Sequence, residues 1–76
     1  MNIQTAIDCV KYAGECNNIF IDTMHNTLKF KSDDVDIIDR DDEQTLFICL
    51  NENKTYYIDA DSIKSIRIVE KKAVKH

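Results

Sequence analysis

Residues 33–43 read DDVDIIDRDDE, seven carboxylates and one arginine, Arg40, in eleven positions. The alternation inside it decides the fold. If residues 33–38 form a strand, Val35 and Ile37 turn to one face and Asp34 and Asp36 to the other, as the two-residue period of a strand requires. The segment is then half-buried, with its acids in water. Carboxylates two apart on a strand are separated by about 6.6 Å along the axis, whereas calcium needs six to eight oxygens within about 2.3–2.6 Å. The following Asp39-Arg-Asp-Asp-Glu43 lacks the glycine that lets a calcium loop turn sharply. An EF-hand register from Asp41 would consume Leu46–Leu50, which the fold needs as a strand. The stretch therefore reads as a solvated strand and turn, and no metal or cofactor is expected.

The same alternation extends in both directions. Ile19-Phe20-Ile21-Asp22-Thr23-Met24 is rich in β-formers, and His25-Asn26 suits a tight turn. Leu28 and Phe30 alternate with Lys29 and Lys31; Leu46, Ile48 and Leu50 oppose Phe47 and Cys49. Asn51–Lys54 is a hairpin loop, after which Tyr56 and Ile58 resume the pattern. Asp59–Ile63 fits one helical turn, and Ile66 with Ile68 defines a last strand. Upstream, Ile3, Ala6, Ile7, Val10 and Ala13 recur at helical spacing, with Asn2 as cap and Gly14, the chain's sole glycine, at the stop. The expectation is an α+β fold: a helix in residues 1–15, then about five short antiparallel strands over 18–69 bent into a small barrel, and a basic tail, 70–76. One domain is expected from 76 residues, with little net stability to spare.

Composition excludes several classes. With 43% apolar and 32% charged residues the chain is neither disordered nor membrane-spanning, and its longest apolar run is Leu46–Leu50. The start MNIQTAIDCVK has no basic or apolar leader pattern, so a cytoplasmic protein is expected. Cys9, Cys16 and Cys49 are odd in number and lack a CxxC pair, which suggests reduced, partly buried thiols. Neither His25 nor His76 is placed to serve a nucleophile, and no phosphate loop or nucleophile elbow is present. Clustered, similar, wet carboxylates do not make an acid–base pair, which needs environments that separate two pKa values. The reading is non-enzymatic.

The net charge of −4 hides an uneven layout. Residues 33–43 carry −6, whereas 64–76 carry +4 through Lys64, Arg67, Lys71, Lys72 and Lys75 against Glu70. Three binding readings follow; a protein partner or a second copy is favoured over nucleic acid, and no membrane partner is expected. The first is a self-associating interaction module that uses strand edges and tail-to-acid contacts, with the outward member of Tyr56 and Tyr57 as an anchor. Tyr57, Lys71 and Lys72 are its candidate contacts. The second is an acidic inhibitor, like small ones made by phages, in which Asp34, Asp36, Asp39, Asp41, Asp42 and Glu43 imitate a phosphate backbone. The third is an RNA-binding ring using Lys71, Lys72 and Lys75.

The layout of helix, bent strands and one-turn helix before the last strand resembles the Sm-like and Hfq-like barrels, and other SH3-like barrels. The local match is Ile58-Asp-Ala-Asp-Ser-Ile63-Lys-Ser-Ile66. On that spacing the Tyr-Lys-His stretch with which Hfq-like proteins meet RNA falls on Asp59, Ala60 and Asp61, and the glycine that bends the family's second strand is missing, with Ser32-Asp33 nearby instead. The resemblance implies a fold and not the RNA site, because RNA needs cations and stacking groups where acids stand.

Overall fold

Helix α1 spans Ile3–Lys11 in the computed structural model, which describes residues 1–51 and 53–70. The Asn2 side chain accepts from the Gln4 and Thr5 amides at 2.8 and 3.3 Å, which satisfies two of the free donors at the helix start. Ile3, Ala6, Ile7 and Val10 form the buried face. Gly14 turns the chain out of the helix with φ of +81°, a left-handed value that costs glycine little.

Six antiparallel strands follow: β1 (Asn17–Thr23), β2 (Thr27–Lys31), β3 (Val35–Arg40), β4 (Thr45–Leu50), β5 (Thr55–Asp59) and β6 (Ile63–Glu70). Single 3-10 turns, Ser32–Asp34 and Ala60–Ser62, join β2 to β3 and β5 to β6. The strands form two three-stranded sheets ordered β2-β1-β6 and β3-β4-β5, so the fold is α+β. The expected closed barrel is not formed. The chain changes sheet at the two 3-10 turns, and no ladder joins one sheet to the other. The same break explains why six strands stand where five were expected: Ser32–Asp34 interrupts what reads as one alternating run.

The inner faces meet in one apolar cluster. Ile19 and Ile21 from the first sheet and Leu46 and Ile48 from the second are fully buried, with Phe30, Leu50, Ile58, Ala60 and Ile63 around them. Helix α1 packs on β3 and β4. The amine of Met1 donates to the Ala60 carbonyl at 3.0 Å, which ties the helix to the second 3-10 turn.

The acidic segment departs from its expected register. Asp33 and Asp34 lie in the first 3-10 turn and not in a strand. Within β3, Val35 pairs with Leu50 and Ile37 with Cys49, so Asp36 is one residue too many. Such a bulge reverses the facing of everything after it. Ile38, opposite buried Ile48, packs on the core, whereas Ile37 is turned outward and 47% exposed.

Candidate functional site

The outward face of β3-β4-β5 brings apolar side chains together through its register. Phe47 stands between Asp39 on β3 and Tyr57 on β5, and Cys49 between Ile37 and Thr55. The Phe47 and Tyr57 rings meet at a centroid distance of 5.3 Å, tilted by 53°, a favourable aromatic arrangement. Tyr57 is 62% exposed, as expected of the outward tyrosine. Its neighbour Tyr56 turns inward and stacks on Phe30 at 6.4 Å. Ile37, Cys49, Phe47 and Tyr57 thus cross the sheet as a stripe, with Asp39 and Asp59 toward one end. Alternation makes Phe47 and Tyr57 share a face; only the bulge adds Ile37.

The predicted acidic contacts do not form one row. Asp36 is exposed at the bulge, and Asp39 is exposed on the outward face with its carboxylate bonded to the Arg40 amide at 2.8 Å. Asp41 closes the β3–β4 turn through its amide, which donates to the Thr45 carbonyl at 2.8 Å. The Asp42 carboxylate accepts from the Gln44 and Thr45 amides, both at 2.8 Å. The Gln44 amide first, then the Thr45 side chain and amide, hold its pKa below the ordinary carboxylate value. Asp42 therefore shapes the turn. Glu43 is exposed beside it, and Asp34 stands apart near Lys29 and Lys31. Among the described residues, no three of His, Cys, Asp and Glu are gathered where they could hold one ion.

The outward face of β2-β1-β6 has the opposite character. Phe20, on the central strand, lies between Lys29 and Arg67; the Lys29 ammonium is 5.6 Å from its ring centre and the Arg67 guanidinium carbon 4.8 Å. Asp22 forms a two-pronged ion pair with Arg67, Nε to Oδ2 at 2.8 Å and Nη2 to Oδ1 at 3.1 Å. The cation lines this face because Asp22 and Phe20 hold it there. Sequence reasoning missed both, since the Asp22–Arg67 pairing spans most of the chain.

The edge of the same sheet is open. Strand β6 pairs with β1 from Ile63 to Glu70, with one irregularity at Lys64, and has no other strand partner among the described residues. Ile68 and Val69 near its end are 39% and 44% exposed. Lys71, Lys72 and Lys75 lie outside the described residues. Cys9 and Cys49 are half-buried, but Cys16 is exposed, because it sits in the turn after α1 with φ of +59°. Of Asp59 and Asp61, on which the RNA-contacting positions of the resemblance fall, Asp59 ends β5 and caps the second 3-10 turn, and Asp61 lies within it: the Asp59 carboxylate accepts the Asp61 amide at 3.0 Å, and Ala60 between them is buried. No described helix is long and apolar enough to cross a membrane. No protein-family model matches the chain, and neither curated proteins nor solved structures return a match.

Proposed function

We propose that this protein is a small, non-catalytic interaction module that associates with copies of itself through the β6 edge. The carrying observation is a strand of eight residues, Ile63–Glu70, paired on one side only among the described residues and carrying half-exposed Ile68 and Val69 near its end. An unpaired edge presents a row of backbone donors and acceptors that another strand completes. Charge supports the choice of that strand. β6 carries Lys64 against Glu70, beside an Arg67 already paired with Asp22, and Lys71 and Lys72 follow it, whereas β3 and β5, the edges of the other sheet, carry Asp36, Asp39 and Asp59. A basic edge of one copy meets the acidic sheet of the next, in a head-to-tail contact that repeats.

Light scattering on the purified protein tests this. The expected result is a mass above the monomer at low salt that falls as salt rises, and a weaker association for Val69→Asp, which places an acid where the partner is acidic. A strict monomer at both low and high salt removes the proposal.

A further inference from the structure

Lys29, Phe30 and Lys31 are consecutive in β2, and successive side chains of a strand point to opposite faces. A cleft of about 280 Å³ is lined by all three, so it takes in the free edge of the strand, and at the Lys31 end it reaches Asn18 on β1. Its other wall is Leu50, Lys54 and Tyr56, from the end of β4, the hairpin loop and β5. The cleft is continued at both ends of β2. One extension, about 380 Å³, shares Asn18, Lys29 and Lys31; another, about 530 Å³, is bordered by Leu28 on one side and Tyr56 to Asp59 on the other. β2 is an end strand of its sheet, with β1 as its only strand partner among the described residues. This groove is the seam where a closed barrel would have joined the two sheets.

Two properties decide what fits there. The free edge offers backbone hydrogen bonds to an extended chain, which a small anion would not use. Its side chains then select among extended chains. Lys29 and Lys31 flank the edge on one side and Lys54 faces them from the hairpin, three cations together in a chain of net charge −4. Like charges directly opposite on paired strands are unfavourable, so the edge rejects another copy of itself and favours carboxylates. Two acids stand beside it, Asp34 in the cleft and Asp33, whose Oδ1 accepts the Cys16 amide at 3.0 Å, and a peptide's carboxylates compete with both for the three lysines. Between the lysines, Phe30 turns to the apolar wall of Leu50 and Tyr56.

We propose that the β2 edge binds an acidic peptide as an added strand, with carboxylates beside Lys29 and Lys31 and an apolar side chain between them against Phe30, Leu50 and Tyr56. The recognised pattern is acid, apolar, acid, because a strand repeats every two residues. This surface is distinct from the β6 edge, and its occupancy does not depend on self-association.

The test uses a fluorescein-labelled peptide of alternating aspartate and valine, a lysine–valine counterpart, and inorganic phosphate as competitor. Anisotropy is expected to rise with the aspartate peptide alone, and amide chemical shifts to move in Thr27–Lys31 and not in Ile63–Glu70. Lys29→Glu with Lys31→Glu should weaken binding at least about tenfold, and the milder Lys29→Gln with Lys31→Gln should lie between. An unchanged amide spectrum outside β2 confirms that the variants remain folded; if the glutamate pair unfolds, the glutamine pair carries the comparison. Binding that ignores these lysines, shifts confined to β6, no binding, or displacement by phosphate at concentrations that leave the ionic strength unchanged would each overturn the proposal.

Discussion

Asp22 knits the first sheet together on its outward face. Its carboxylate accepts from Thr27 on β2 and Ser65 on β6, each at 2.9 Å, in addition to the paired bonds from Arg67. Thr27 and Ser65 are its direct register partners, so one side chain on the central strand reaches both neighbours. The Arg67 hydrogen bond first, then those of Thr27 and Ser65, hold the Asp22 carboxyl far below the usual carboxylate range, and the same pair raises the pKa of Arg67. A depressed folded-state pKa contributes stability that is present above the unfolded value, about 3.9, and lost as pH falls towards the folded one. Asp22→Asn should therefore be less stable than the parent at about pH 7, with the gap closing as pH falls below about 4. Urea denaturation at a series of pH values measures this, and a gap that stays constant down to acid pH would refute the role given to Asp22. Nothing local in Ile19–Met24 marks Asp22 as such a centre: its partners lie 5, 43 and 45 residues away, and which face it takes depends on register. Asn2 and Gly14 are the opposite case, because caps and left-handed stops act within one turn and were legible.

At the scale of elements, what could be read depended on whether a period ran unbroken. Helix α1, the alternating β4 and β5, and the turn at Ala60–Ser62 follow from their own residues. β3 does not, because Val35-Asp-Ile-Ile-Asp offers two registers and only the bulge at Asp36 chooses between them. Pairing supplies the reason for the choice. Leu50 and Ile48 lie two apart on the inward face of β4, while Val35 and Ile38, which meet them, lie three apart. Seating Ile38 in place of Ile37 opposite Ile48 leaves Asp36 over. The expected consequence is an inversion of the simple alternation: Ile37→Ser should change stability by no more than about 0.5 kcal/mol, and Ile38→Ser should cost about 1–3 kcal/mol. Chemical denaturation of the two variants compares them directly. If Ile37 proved the costlier site, the uninterrupted strand would be right and the bulge wrong. The surface stripe depends on the same choice, since an inward Ile37 would leave only Phe47 and Tyr57 on the outward face.

For the molecule as a whole, the sheets are linked by side chains rather than by strand pairing. A three-stranded sheet with one apolar face cannot stand in water alone, and each of these sheets covers the other. Ile19 and Ile21 on β1 and Leu46 and Ile48 on β4 are the fully buried members of the shared cluster, with α1 packed on the β3 and β4 side. The alternation of those residues was visible in sequence, and so was their role in a core. The split into two sheets was not, because it is made at Ser32–Asp34, where neither glycine nor proline announces a break. Charge layout was legible in the same partial way: the acidic middle is plain, but the meeting of Lys54 with Lys29 and Lys31 arises only when the hairpin folds back beside β2. A core shared in this manner makes stability a property of both sheets at once. Ile48→Ala opens a cavity at a fully buried position of one sheet, with an expected cost of about 2–5 kcal/mol. Because β1 has no ladder to β4, any loss of protection in β1 must pass through the apolar cluster. Amide hydrogen exchange should therefore quicken at Ile19 and Ile21 as much as at Leu46 and Phe47, through one cooperative opening. Exchange that quickens in β3-β4-β5 while β1 keeps its parental protection would show two sheets that open independently, and the single core would be wrong.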